Sequence, residues 1–231
     1  MKKRSIHIFI FALTIIGINS CKKDAETTPV DLGYEYFPND LGNYIVYEVD
    51  SISYDDAIRD PDTTQYLLKE KIESLFYDNS GRPTLRIERY KKIYNPSVPY
   101  DSIQWVISDI WTSNRTTTTA EQTEENIRYI KLVFPITKGK AWNGNTFNIL
   151  GKKDYKMISI DKNETINNMS FDSVITVSQF QQINFIEYIN EEEKFAKNIG
   201  LIYKKKDNLY DGGSADTVGY TFTQKIISYG K

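Results

Sequence analysis

Apolar and polar residues alternate along most of this 231-residue chain. Ile130, Leu132 and Phe134 share one face of an extended strand; so do Phe171, Ile175 and Val177, and so do Tyr220, Phe222 and Ile226. A period of two marks a strand with one face turned to a core. Short runs rich in Ile, Val, Tyr, Phe and Thr predict further strands over Asn43 to Asp50, Thr84 to Tyr94, Ser102 to Thr112, Tyr155 to Ile160 and Ile199 to Lys204. Asp78-Asn79-Ser80-Gly81 reads as a hairpin turn with Gly81 in the left-handed position. The regular spacing predicts a mainly β fold, a single antiparallel meander long enough to curl into a barrel, half-barrel or sandwich.

Two segments are open to a helical reading. In Tyr66 to Phe76, Leu68, Ile72, Leu75 and Phe76 fit a helical face, while Tyr66, Leu68, Ile72 and Phe76 fit a strand face. Periodicity does not separate helix from strand there, and the strongly β neighbour beyond Gly81 favours strand. Glu191 to Gly200 predicts one short helix near 191–199, with acids in its first turn, Lys197 in its last and Gly200 as the stop.

The amino terminus breaks the β texture. Lys2, Lys3 and Arg4 precede a mostly apolar, uncharged run from Ile8 to Ile16, followed by Asn19, Ser20 and Cys21. Those are the three parts of a secretory signal, and the apolar run is shorter than the 18 or more residues of a bilayer-spanning helix. Ile18-Asn19-Ser20-Cys21 resembles the bacterial lipobox. The resemblance implies cleavage after Ser20, a thioether from Cys21 to diacylglycerol and an acylated (palmitate-type) new amino terminus. The expected organisation is a signal peptide over residues 1–20, a polar tether over 21–31 closed by Pro29, and a single β domain over 32–231.

Removal of the signal changes the available chemistry. Three of the 29 Lys and Arg leave with it, so 26 face 31 acids, a net charge near −5. A mildly acidic chain has no general attraction to nucleic acid. The one histidine, His7, also leaves, and the one cysteine is lipidated. This excludes Ser-His-Asp and Cys-His catalysis and nearly all zinc, copper and haem sites, so no metal and no cofactor is expected.

Among acidic candidates, Glu191, Glu192 and Glu193 read better as a solvated helix face than as a catalytic cluster. Asp161-Lys162-Asn163-Glu164-Thr165 begins like a calcium loop, but Ile166 stands at the sixth position and Asp172 at the twelfth, so it is not an EF-hand. Asp207 to Asp216 reads as a hairpin loop before it reads as a loose calcium site.

Aromatic residues raise the question of sugar stacking. Trp105 and Trp111 are an even number apart and could face one side of one strand. Trp142-Asn143-Gly144-Asn145 is the most site-like stretch, because Gly allows close backbone approach and Asn143 and Asn145 offer donors and acceptors. A tight turn with a packed tryptophan accounts for it equally well. Asp followed by Ser or Thr and then an aliphatic residue or Thr occurs at Ser51, Thr63, Ser102, Ser173 and Thr217. These triplets resemble the Bacteroidota O-glycosylation sequon; Asp-Ser and Asp-Thr also close turns where strands open.

Further resemblances fall along the chain. Lys22-Lys23-Asp24-Ala25-Glu26 resembles the charged export tags of surface-exposed Bacteroidota lipoproteins. YFPNDLGNYIVYEVD (Tyr36 to Asp50), FPITKGKAWNGN (Phe134 to Asn145) and FAKNIGLIYKK (from Phe195) resemble segments of Bacteroidota cell-envelope lipoproteins. That family implies a curved antiparallel sheet and assigns no catalytic residues. The expectation is an outer-membrane, lipid-anchored protein, surface-exposed rather than periplasm-facing, acting as a non-catalytic binding or assembly module. Its partners would be membrane lipid through Cys21 and a glycan or an envelope protein. The alternative is a carboxylate-dependent glycan hydrolase.

Overall fold

Nearly every turn marked by Gly, Asn or Asp joins two antiparallel neighbours. The computed structural model describes residues 30–55, 58–212 and 217–231, so the signal segment, Cys21 and Asp216 lie outside the described residues. Among the described residues, the unit Asp31–Lys231 contains twelve strands. They are β1 (Tyr44–Asp55), β2 (Ile58–Tyr77), β3 (Pro83–Ile93), β4 (Val106–Arg115), β5 (Thr119–Glu124), β6 (Ile127–Val133), β7 (Ala141–Asn143), β8 (Asp154–Ile166), β9 (Met169–Ile183), β10 (Glu187–Ala196), β11 (Gly200–Asp211) and β12 (Thr217–Gly230).

The strand order is β6-β5-β4-β3-β2-β1-β12-β11-β10-β9-β8-β7, all antiparallel. Two six-strand meanders are thus joined where β12 returns beside β1. The edges β6 and β7 approach each other: Ile130 N–H donates to Gly144 O (2.9 Å) and the Trp142 indole N–H to Ile130 O (3.0 Å). Asn148 Nδ2 donates to Arg128 O at 2.9 Å. The sheet is therefore nearly closed into a barrel, which removes most of the unpaired edge that an open sheet would expose.

The expected turn at Asp78 forms. Gly81 has φ 71° and its N–H donates to Asp78 O at 2.8 Å. Tyr66–Phe76 is strand, inside β2. The helix expected near 191–199 is absent; Glu191 to Ala196 belong to β10. The acids that suit a helix amino terminus are instead partners of a basic run, with Glu191 opposite Lys206, Glu192 opposite Lys205 and Glu193 opposite Lys204. Cross-strand opposite charges and a turn with Asn198 at φ 64° and Gly200 at φ 101° outweigh the dipole preference of so short a helix. The strand expected from Ser102 starts later, at Val106, because Tyr100–Ser102 is a 3₁₀ turn.

Residues directly opposite each other on paired strands point to the same face. This places Val49, Gln224, Lys204, Glu193, Val177 and Met157 in one row across β1, β12, β11, β10, β9 and β8. The row faces the lumen, since Lys204 on β11 reaches Glu124 on β5 and Glu193 on β10 reaches Lys131 on β6, strands that are not neighbours in the sheet. At one rim an apolar cluster that includes Phe195, Ile175, Leu132 and Phe134 is closed by Tyr36 and Phe37 of the amino-terminal segment. Tyr36 is tied down by Asp161 and Ser173, at 2.5 and 2.6 Å from its hydroxyl. The same rim carries the turns after β2, β4, β6, β8 and β10, so the odd-numbered turns lie at the opposite rim.

Candidate functional site

A strand interior is a poor place for charge, yet four ionic side chains cross the lumen midway. Lys131 Nζ lies 2.6 Å from Glu193 and 3.0 Å from Glu124; Lys204 Nζ lies 3.3 Å from Glu124 and 3.5 Å from Glu193. The Glu193 side chain is 0% exposed and those of Lys131 and Lys204 are 4% and 7% exposed. Burial pushes the Glu124 and Glu193 carboxyls up, but the Lys131 and Lys204 ammoniums reverse this and hold both below the ordinary range. Burial works against the Lys131 ammonium as well, and Glu124 and Glu193 more than offset it, so its pKa is raised. Glu124, Glu193 and Lys131 therefore stay charged at neutral pH.

Deeper along the other half of the lumen a second group forms. Arg89 lies 2.9 Å from Glu70 and 3.2 Å from Asp109, with its guanidinium 3.5 Å from the Trp111 ring centre. Trp111 donates its indole N–H to Glu125 at 3.0 Å. Buried arginine is thus met by two carboxylates and an aromatic face, as its planar cation requires.

Next to the first network is a cavity of about 80 Å³. Its walls include Lys131, Lys204 and Glu124 from the network, with Lys153, Lys206 and Glu191 added. Tyr129, Tyr155, Gln179 and Asn145 complete the polar lining. Lys153 holds Glu191 through both oxygens at 2.7 Å. Lys206 forms no ion pair among the described residues. Lys204 beside it, together with burial, depresses its pKa to about 8. Gln179 is 2% exposed, and its Nε2 has no hydrogen-bond partner.

The residues singled out from sequence separate across the molecule. Trp111 is buried in the lumen, whereas Trp105 precedes β4 and lies near Lys69, 5.2 Å from its ring centre. Lys69 is opposite Tyr90, on the face of β2 away from the lumen. The two tryptophans therefore do not form one aromatic surface, because Trp105 lies outside the strand that parity assumed.

Trp142 serves the barrel seam through its bond to Ile130 and its edge contact with Tyr155 at 6.0 Å. Gly144 belongs to the same seam, where an added Cβ would lie 2.4 Å from the Tyr155 ring. Asn143 Oδ1 accepts from the Asn145 and Lys153 backbone N–H groups at 3.1 and 2.9 Å. Of Trp142, Asn143, Gly144 and Asn145, Asn145 alone lines the cavity, with its Nδ2 donating to Gly151 O at 2.9 Å. The Glu191–Glu193 run is not a solvated face: strand alternation sends Glu191 and Glu193 inward and Glu192 outward.

Sequence reasoning missed the lysines. Lys131 stands between Ile130 and Leu132 in a strand whose neighbours are buried, and that interruption of an apolar run was the available signal.

The five Asp-Ser/Thr sites also differ from one another. Thr63, Ser102 and Thr217 are exposed, while Ser51 is half-buried and Ser173 is bonded to Asp161 at 2.6 Å. Thr217 opens β12, but Ser51, Thr63 and Ser173 lie within strands, so turn closure does not account for all five.

A scan against protein-family models finds no match to the chain, and a search of the curated proteins finds none either. Among solved structures, it is similar to a presumed exported protein with a YmcC-like fold from Bacteroides fragilis. Identity is 10% and the TM-score 0.43, over 84% of this chain and 98% of that one. It is also similar to a presumed lipoprotein from Parabacteroides distasonis, at 12% identity and a TM-score of 0.38 over the same shares. At this distance no site residue transfers from either.

Proposed function

We propose that the protein is a cell-envelope lipoprotein, anchored to the outer membrane through Cys21, whose barrel binds a partner and does not transform it. The observation that carries the non-catalytic reading is electrostatic. Glycoside hydrolysis needs one carboxyl raised enough to stay protonated near neutral pH, opposite a second that is ionised. Here the lumen lysines hold the Glu124 and Glu193 carboxyls down, so neither is poised to donate a proton. Burial does raise the Glu192 carboxyl, but Glu192 faces away from the lumen, beside Lys194 (3.9 Å), which in turn pairs with Glu164 (3.0 Å). The anchor rests on the lipobox-like Ile18-Asn19-Ser20-Cys21. Stable attachment follows from several acyl chains on one residue, at roughly 0.8 kcal/mol per buried methylene.

Cys21→Ser is expected to move the protein from the detergent phase of a membrane extract to the soluble fraction. Retention of the variant in the membrane at unchanged mass would overturn the anchor.

Export also makes the Asp-Ser/Thr sites available for O-glycosylation, and exposure favours Thr63, Ser102 and Thr217 over Ser51 and Ser173. Protein from the native host is expected to run heavier than the same chain from a host without the pathway, after allowance for lipid. Replacing Thr63, Ser102 and Thr217 with Ala should remove most of that difference. Equal masses would leave the five hydroxyls with structural roles only.

A further inference from the structure

We infer that the lumen cavity beside Lys206 is a binding site for a small anionic group, a carboxylate or a phosphate, held by Lys206 and Gln179. This deepens the binding-module reading and rests on it. The argument begins with charge. Glu191 is taken by Lys153, and Glu124 and Glu193 are shared by Lys131 and Lys204. Four ammoniums thus meet three carboxylates, and Lys206 is the one left over. A half-buried cation among other cations is costly unless an anion joins it.

Gln179 is an independent observation. It comes from β9, across β10 from Lys206 on β11; it lines the same cavity, and its buried Nε2 has no hydrogen-bond partner. Native structures seldom leave such a donor unpaired. An ammonium and an unpaired amide donor in the wall of one cavity are complementary to a carboxylate or phosphate oxygen. The space, about 80 Å³, accommodates an anionic group and not a large ligand. Leu150, part of the lining, is 56% exposed in the loop between β7 and β8, which places an opening at the rim opposite Tyr36 and Phe37.

Proton linkage gives the site a signature. The groups facing Lys206 are Lys204 on its own strand, Glu191 on β10, Glu124 on β5 and Lys131 on β6. Tyr129, Tyr155 and Lys153 face the same space. A bound anion adds negative charge and raises the Lys206 pKa from about 8, so binding near pH 8 takes up a proton. Affinity should fall by up to about tenfold per pH unit above that value.

The test is calorimetric titration of the membrane-extracted protein in detergent, at fixed chloride, with inorganic phosphate in one arm and glucuronate in the other. Saturable one-to-one binding of either probe is expected, with a heat that depends on the buffer's ionisation enthalpy; the arm that binds identifies the anion. Lys206→Met should weaken binding about tenfold or more. The same variant should raise the melting temperature of the ligand-free protein, because it removes an uncompensated cation. Gln179→Leu should weaken binding with the fold intact, and Lys152→Ala, an exposed residue outside the cavity, should leave it unchanged. No binding of either probe, or a Lys206→Met protein that melts lower and binds as before, would overturn the site. Neither result bears on the anchor, which Cys21→Ser tests separately.

Discussion

Replacing Glu193 with leucine is expected to destabilise the barrel by about 3–5 kcal/mol, the effect of leaving a buried ion pair half made. Glu193 is fully buried, 2.6 Å from Lys131 and 3.5 Å from Lys204. Its removal leaves two nearly buried ammoniums with Glu124 as their one shared carboxylate. A drop of that size should shift the urea midpoint without changing the slope of the transition. The pairing argument makes a second demand. In Glu193→Leu with Lys131→Met the unpaired cation is gone and apolar volume replaces the pair, so most of the loss should be recovered. A double variant as unstable as the single one would show that Glu193 acts through packing or its unpartnered Oε2, and not through Lys131.

The contrast between what could and could not be read from the chain has a physical origin. Alternation and turn chemistry are local, and they located the Asp78–Gly81 hairpin and most of the strands, though not β5, β7 or β10. The closure of the sheet depends on Trp142 and Gly144 meeting Ile130, residues that no short-range pattern connects. The Glu191–Gly200 segment misled because its charges obey two rules at once. Acids first, lysine late and glycine last suit a helix. The same acids stand in mirror positions to Lys204, Lys205 and Lys206 about the turn at Asn198, which suits a hairpin. The mirror pattern can be seen only by reading past Gly200, and it decides the issue because each glutamate gains a cross-strand cation. The cavity was the least legible part. Asn145 was singled out for its amide, but the lysines that give the cavity its charge come from β6, β11 and the segment before β8, and only barrel closure assembles them.

The lumen network should also make the fold sensitive to acid. Lys131 and Lys204 hold the Glu124 and Glu193 carboxyls below the ordinary glutamate value of 4.5, which both recover on unfolding. A carboxyl with a depressed folded pKa contributes stability that is complete above its unfolded pKa and is lost as pH falls toward the folded one. Below 4.5, the unfolded chain binds up to two more protons at these sites than the folded chain does. Stability should then fall by up to about 2.7 kcal/mol per pH unit from this pair alone. Urea titrations from pH 7 to pH 3 should show a plateau down to about pH 5 and a steep decline beneath it. Carboxyls outside the lumen, such as Asp78 and Glu73, are held low by hydrogen bonds as well, so the decline is not unique to the lumen. The discriminating comparison is the Glu193→Leu, Lys131→Met double variant, which retains those surface groups and lacks half of the network. Its decline should be shallower by about 1.4 kcal/mol per pH unit. An equal slope in the two proteins would assign the acid sensitivity to the surface and leave the lumen charges without a part in it.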